Sequence, residues 1–298
     1  MSCYHPIPAF RTPDGVVFKE RSGVDILGRL DLPCGQCIGC RMRRASDWQL
    51  RIMHEAQFHD ANSFVTVTYD QQNLPERYSL RYRDVQLWLK RLRRYYVGRT
   101  IRFYVVGEYG GQTSRPHYHA CLFGVDFRSD RVVAGKSSSG QLFYESALLT
   151  QLWRLGRCSV QDLTPETAGY CSRYILTKAL GKNADEARKF TLPDGEVVER
   201  VPEFARMSLR GGIGSDWFDR YHRDVFPHDF VVAGGAKRRA PRYYDTLLDR
   251  KSAEVLEAVK EERAARARLH VAEQSDERLR VRELVHEASM SQFRRGLE

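Results

Sequence analysis

Arg115-Pro116-His117-Tyr118-His119-Ala120-Cys121-Leu122-Phe123-Gly124 sets two histidines two positions apart at the head of an apolar run. In a strand, side chains at i and i+2 stand on one face, so both imidazoles would look out side by side from a sheet that buries Cys121 and Phe123. Neutral imidazoles held on a rigid surface are metal ligands. Upstream, Phe103-Tyr104-Val105-Val106-Gly107-Glu108-Tyr109-Gly110 reads as another strand, with a Gly110-Gly111 turn leading back to the histidines. Paired as a hairpin, the two strands would bring Glu108 to His117 and His119. Two imidazoles and a carboxylate suit Mg2+ or Mn2+ and leave coordination positions open for a substrate phosphate. With nine histidines in the chain a His-x-His also arises by chance, so context must decide.

A second group supplies that context. Thr164-Pro165-Glu166 is a helix-start signal, with Thr164 as N-cap and proline in the first turn. On the helix that follows, Tyr170, Tyr174 and Lys178 are spaced i, i+4, i+8 and line one face. A phenol, with a pKa of about 10, is a poor nucleophile until a metal or a lysine stabilises its phenolate. Two tyrosines one turn apart would let one hold a covalent intermediate while the other attacks. Among 15 tyrosines such a pair alone says little.

Cys34, Cys37 and Cys40 form C-x2-C-x2-C, with Gly35 and Gly39 allowing a tight turn. Structural zinc wants four ligands, and Cys3 is the expected fourth, with His5 as substitute. An iron–sulfur cluster or plain thiols are the competing uses. Cys121, Cys158 and Cys171 read as ordinary buried residues. Seven cysteines without a signal-like or long apolar stretch point to a reducing, cytosolic setting and no membrane.

Net charge is +10, and residues 245–298 hold 12 acids against 11 Lys or Arg, so the excess lies in the first 244 residues. A basic body recruits phosphate backbones. Lys90, Arg91, Arg93 and Arg94 alternate with aromatics on an expected helix and could clamp backbone and stack bases. Arg115 stands beside the histidines, and Lys237, Arg238 and Arg239 form a second basic run in an expected loop. A solvated basic face is the competing reading of each.

The elements that must position these groups follow from periodicity. Helices are expected over 45–59, with Trp48, Ile52, Met53 and Ala56 along one side, and over 81–97, with Val85, Leu89 and Leu92 inward. Strands are expected at 63–69, 101–108, 117–126 and near 157–163. A short helix carries Leu148, Leu149 and Leu152, and a hairpin turns at Asp194-Gly195. The fold class is α+β: a central, mainly antiparallel sheet with flanking helices, an N-terminal cysteine knuckle and a long C-terminal helix. Residues 1–45 would form the zinc knuckle segment, 46–244 the main domain with C-terminal additions, and 245–298 a charged helical tail.

The order of these motifs resembles the HUH endonucleases, in which histidines flank a hydrophobic residue (here Tyr118). The resemblance is closer to replication initiators of small single-stranded DNA phages, the microviruses of gokushovirus type. It is carried by Met1-Ser2-Cys3-Tyr4-His5-Pro6, the 33–40 cysteine run, Gly107-Glu108-Tyr109-Gly110, Arg115-Pro116-His117-Tyr118-His119, Pro202-Glu203-Phe204-Ala205-Arg206-Met207-Ser208 and Pro241-Arg242-Tyr243-Tyr244. It implies an RRM-like sheet and metal-dependent nicking of single-stranded DNA at a viral origin. Tyr170 or Tyr174 would attack to give a 5′-phosphotyrosine, Lys178 would stabilise the charge, and later strand transfer would reseal the circle. With no Gly-x4-Gly-Lys-Ser/Thr motor, host helicase and DNA polymerase are the implied partners, in the host bacterial cytoplasm. A non-enzymatic, zinc-containing nucleic-acid binder is the alternative. A metal-dependent nucleotide hydrolase would want a further nearby histidine that the motif lacks.

Overall fold

The computed structural model describes residues 3–20, 22–111, 113–137, 140–177 and 186–293. They fall into two compact units, one of residues 45–259 and one joining 1–44 with 260–298. In the smaller unit β1 (Ile7–Thr12) pairs antiparallel with β2 (Gly15–Val17) and β3 (Gly28–Leu32), so the segment expected to form the zinc knuckle also contains a small sheet. Helix α1 (Ile38–Ala56) follows, beginning earlier than the apolar stripe suggests.

The larger unit is built on seven strands: β4 (Asn62–Thr68), β5 (Arg102–Tyr109), β6 (Pro116–Phe123), β7 (Arg131–Lys136), β8 (Leu142–Ser146), β9 (Cys158–Asp162) and β12 (Phe204–Met207). Their order is β12-β5-β6-β4-β9-β8-β7, every neighbouring pair antiparallel. The α+β expectation therefore holds, with three strands more than periodicity supplied. β7, β8 and β12 lie at the sheet's ends, where short strands carry weak alternation, and Val132 and Val133 of β7 are exposed. β6 stops at Phe123 rather than 126. Gly124 takes a φ of +94°, and a Cβ there would fall 2.4 Å from the Thr100 carbonyl oxygen.

Alternation along the strands separates two cores. On one face Val65, Val67, Val105, Tyr118, Ala120 and Leu122 pack under α2 (Tyr82–Tyr95) and α3 (Ala147–Trp153). On the other, Phe64, Tyr104, Val106, Cys121 and Phe123 pack under Ile52 of α1 and under Ala168 and Cys171 of α4 (Pro165–Thr177). A one-residue slip of β6 would exchange its two faces, driving His117 and His119 into the apolar core under α2 and α3 and taking Tyr118, Ala120 and Leu122 out of it. The histidine face is thereby locked.

The expected hairpin is β10 (Lys189–Thr191) and β11 (Val197–Glu199), with Gly195 at φ +92° in its turn. Outside α1, a further core joins Leu50 to α5 (Ser215–Val225), α6 (Arg242–Lys251) and Leu256 and Val259 of α7 (Ala253–Arg268). The basic run expected in a loop is instead a strand: β13 (Phe230–Ala233) and β14 (Ala236–Arg239) form a two-stranded ribbon. The apolar run from 230 to 233 starts it, and Gly234 and Gly235, at φ +60° and +73°, make the tight turn. The tail is helical as expected, but divided between α6, α7 and α8 (Asp276–Phe293). Ser252 leaves helical geometry at φ −159°. Ser275 restarts the chain as a cap, its hydroxyl accepting from Arg278 N at 3.4 Å. Among the described residues no helix is long and apolar enough to cross a membrane.

Candidate metal centre beside a tyrosine helix

Register alone assembles the first group. β5 and β6 pair Glu108 with His117 and Val106 with His119, while β4 places Thr66 opposite His119. All four polar side chains fall on the face covered by α1 and α4. His119 Nε2 lies 2.8 Å and His117 Nε2 3.4 Å from the same Glu108 Oε1. The ligand atoms of the three residues lie within 4.8 Å of one another and could hold a metal ion.

The outer ring nitrogens are also engaged. His117 Nδ1 donates to the Arg115 carbonyl at 3.2 Å, and His119 Nδ1 is 2.8 Å from Thr66 Oγ1. With Nδ1–H committed to a carbonyl, His117 turns its Nε2 lone pair toward a carboxylate oxygen. That arrangement is comfortable only with a proton or a metal cation between them, so the donor set fits a divalent ion. Electrostatics agree. Burial would raise Glu108, but hydrogen bonds and charge from both histidines hold its carboxyl down at about 2. For His117 burial is outweighed by Glu108 and its pKa rises, whereas in His119 burial prevails and lowers it.

Tyr170 stands over this group. Its hydroxyl is 3.5 Å from His119 Nε2 and its ring meets the imidazole edge-on at 4.9 Å. Phe64 stacks on His119 at 5.5 Å and meets the Tyr170 ring edge-on at 6.0 Å. Tyr170 remains 40 % exposed, so a ligand can reach it. Burial and then the Glu108 charge push its pKa up to about 12, which leaves the phenol protonated. Arg173, which the motif reading passed over, acts in the opposite sense: its positive charge favours the Tyr170 phenolate. The signal for it was its place three residues after Tyr170, one turn along the helix. Thr66 had no motif signal, because only strand pairing brings it to His119. Tyr174 is on α4 one turn after Tyr170, with its side chain outside the described residues, as is the whole of Lys178.

In the smaller unit the sulfurs of Cys3, Cys34, Cys37 and Cys40 also lie within 4.8 Å of one another. Amides point at them: Cys34 N at Cys3 Sγ (3.2 Å), Cys37 N at Cys34 Sγ (3.3 Å) and Tyr4 N at Cys37 Sγ (3.4 Å). Donors aimed at sulfur favour thiolate, and four thiolates are the donor set of a structural zinc. Burial of Cys34 opposes this but is outweighed by the Cys37 and Gln36 amides, and its pKa falls to about 7, whereas burial raises those of Cys3 and Cys40. Gly35, at φ +74°, makes the turn between the first two ligands. His5 is apart, its Nε2 2.6 Å from Glu283.

The basic residues separate by location. Lys90, Arg91, Arg93 and Arg94 ride on α2, across the sheet from the triad. Arg91 donates to the Leu152 and Trp153 carbonyls at 2.6 and 3.0 Å, and Arg93 to the Ile101 carbonyl at 3.3 Å. Lys90 and Arg94 are exposed. Arg115 borders the histidines and donates to Gln71 Oε1 and the Tyr69 carbonyl at 2.9 and 3.0 Å. Lys237, Arg238 and Arg239 are exposed on β14.

A family profile of the replication-associated protein ORF2 type matches residues 62–179, the span from β4 to the tyrosine helix. Replication-associated protein VP4 of Bdellovibrio phage phiMH2K is 31 % identical over 255 residues, covering 82 % of this chain and 76 % of that protein. Replication-associated protein ORF2 of Spiroplasma virus 4 is 29 % identical over 274 residues, covering 84 % and 81 %. For replication-associated protein ORF4 of Chlamydia phage 1 the identity is 29 % over 224 residues, 73 % of this chain and 53 % of that one. The chain belongs to the phage replication-associated proteins, the microvirus-type initiators that its motifs resemble. No solved structure matches it.

Proposed function

We propose that this chain initiates rolling-circle replication of a phage genome by nicking single-stranded DNA at the viral origin through Tyr170. The observation that carries this reading is the Tyr170 hydroxyl 3.5 Å from His119 Nε2, beside the Glu108–His117–His119 group. Those three residues would hold Mg2+ or Mn2+. When bound, the cation supplies positive charge that polarises the scissile phosphate and offsets the charge developing on it.

Tyr170 gives up its phenolic proton and attacks phosphorus, and the bond to the 3′ oxygen breaks. The products are a 5′-phosphotyrosine and a free 3′-OH that a host polymerase can extend. Arg173 favours the phenolate, lowering the cost of activating a phenol whose pKa burial has raised. Lys178 would contribute in the same sense. One phosphodiester is exchanged for another, so no nucleotide hydrolysis is needed. Tyr174, one turn on in the sequence of α4, would open a second strand while the first remains attached, and a 3′-OH attacking the phosphotyrosine reseals the circle. Unwinding falls to a host helicase, and the site of action is the host cell. Zinc at Cys3, Cys34, Cys37 and Cys40 is structural, and residues 46–244 carry the nuclease.

A denaturing-gel adduct assay on the matching viral strand with Mn2+ tests this, comparing wild type with Tyr170→Phe and Tyr174→Phe. Wild type should give a covalent protein–DNA band that Tyr170→Phe loses. Tight binding without any adduct would replace the nuclease reading with that of a non-enzymatic binder.

A further inference from the structure

The ribbon β13–β14 is tied to the tyrosine helix through one side chain of α1. Gln49 Nε2 donates to the Pro165 carbonyl at the start of α4 at 2.6 Å, and its Oε1 accepts from Arg238 Nη1 at 3.3 Å. Gly169 leaves room for this bridge, since a Cβ there would lie 2.9 Å from Gln49 Nε2 and 3.2 Å from Arg173 Nη1. Arg238, Gln49, Arg173 and Tyr170 therefore follow one another along the surface. Between residues 230 and 239 there is no acidic residue. Lys237, on the outer side of the ribbon, stands 4.4 Å over the Phe230 ring.

We propose that Lys237 and Arg238 of this ribbon hold the backbone of the single-stranded DNA segment flanking the scissile phosphate and lead it to Tyr170. This rests on the nuclease reading and adds the strand's path to it. The charge is complementary to phosphate, the residues are exposed, and the Gln49 bridge fixes the ribbon's position relative to α4. The α2 cations, with Arg91 and Arg93 turned to backbone carbonyls on the opposite face, do not share this path.

Fluorescence anisotropy of the full chain with a labelled single-stranded oligodeoxynucleotide, across a salt series, tests the assignment. Lys237→Gln/Arg238→Gln should raise Kd about tenfold and reduce the slope of log affinity against log salt by about 1.4, or ~0.7 per lost cation. Arg238→Lys keeps the charge without the guanidinium contact to Gln49 and should keep the slope. Equal losses in Arg238→Lys and Arg238→Gln would make the residue structural and overturn the proposal. So would an unchanged slope in the double variant, an equal fall in Lys90→Gln/Arg94→Gln, or a ribbon-dependent slope on duplex but not on single strand. Binding is read without cleavage, so a wild type that forms no adduct would sink the nuclease reading while leaving these slopes to judge the ribbon.

Discussion

His119 is buried, yet both of its ring nitrogens face polar partners: Nδ1 meets Thr66 and Nε2 meets Glu108. A ring held at both ends cannot rotate, so the nitrogen that faces Glu108 is already aimed. Thr66→Val keeps the β-branched shape on β4 and removes the hydroxyl. It should weaken Mn2+ binding by about 10–100-fold, as measured by calorimetric titration, with the melting temperature nearly unchanged. Equal affinity in the variant would show that Thr66 does not orient the ring. The His-x-His pair was legible because side-chain direction in a strand has a period of two. Thr66 was not, because strand register across β4 and β6 is a long-range property.

At the scale of elements, α1 links the layers. Ile52 packs toward the sheet while His54 turns outward, its Nδ1 2.6 Å from the Tyr244 hydroxyl and its ring stacked on Trp217 at 3.7 Å. Burial lowers the pKa of His54 from 6.5 to about 4. The native protein thus resists protonating it while the unfolded chain does so readily. Above pH ~6.5 the group is neutral in both states and costs nothing. As pH falls from there toward 4 the unfolded state gains protons first, and stability is lost. Urea denaturation at about pH 7.5 and about pH 4.5 should show His54→Gln losing about 2–3 kcal/mol less between the two than wild type. Equal losses would remove His54 as the source. The apolar stripe of α1 was readable in the sequence, but the partners of its second side were not, since α5 and α6 lie more than 150 residues away along the chain. For the same reason the ribbon looked like a loop: residues 237–239 are all basic, and only the pairing of 236–239 to 230–233 makes them a strand.

At the scale of the whole molecule, the smaller unit joins the two ends of the chain. Tyr4 and His5, next to the first cysteine of the knuckle, contact His286 and Glu283 of α8 at 3.0 and 2.6 Å. Structural metal binding and folding are coupled, so loss of the metal should loosen these contacts. Purified protein should contain about one zinc per chain by atomic emission. Cys34→Ser should lose it and expose residues 260–298 to trypsin while 45–259 stays resistant. Zinc retained by the variant, or a tail as resistant as before, would separate the knuckle from the tail.

Local chemistry and short spacing determined, from the sequence alone, the strand bearing His117 and His119, the tyrosine helix, the alternation of strands and helices behind the α+β class, and the Cys34-Cys37-Cys40 triple. Each of these depends on residues within about two turns or one hairpin of each other, where periodicity and ligand spacing carry the information. Tertiary structure alone decided that α2 and its cations lie across the sheet, that Arg173 and Thr66 belong to the site, and that the basic run at 237–239 is a ribbon bridged to the tyrosine helix. Those outcomes depend on which face of a sheet a helix covers and on which strands pair. Burial of apolar surface over the whole chain decides both, and no short stretch of sequence records it.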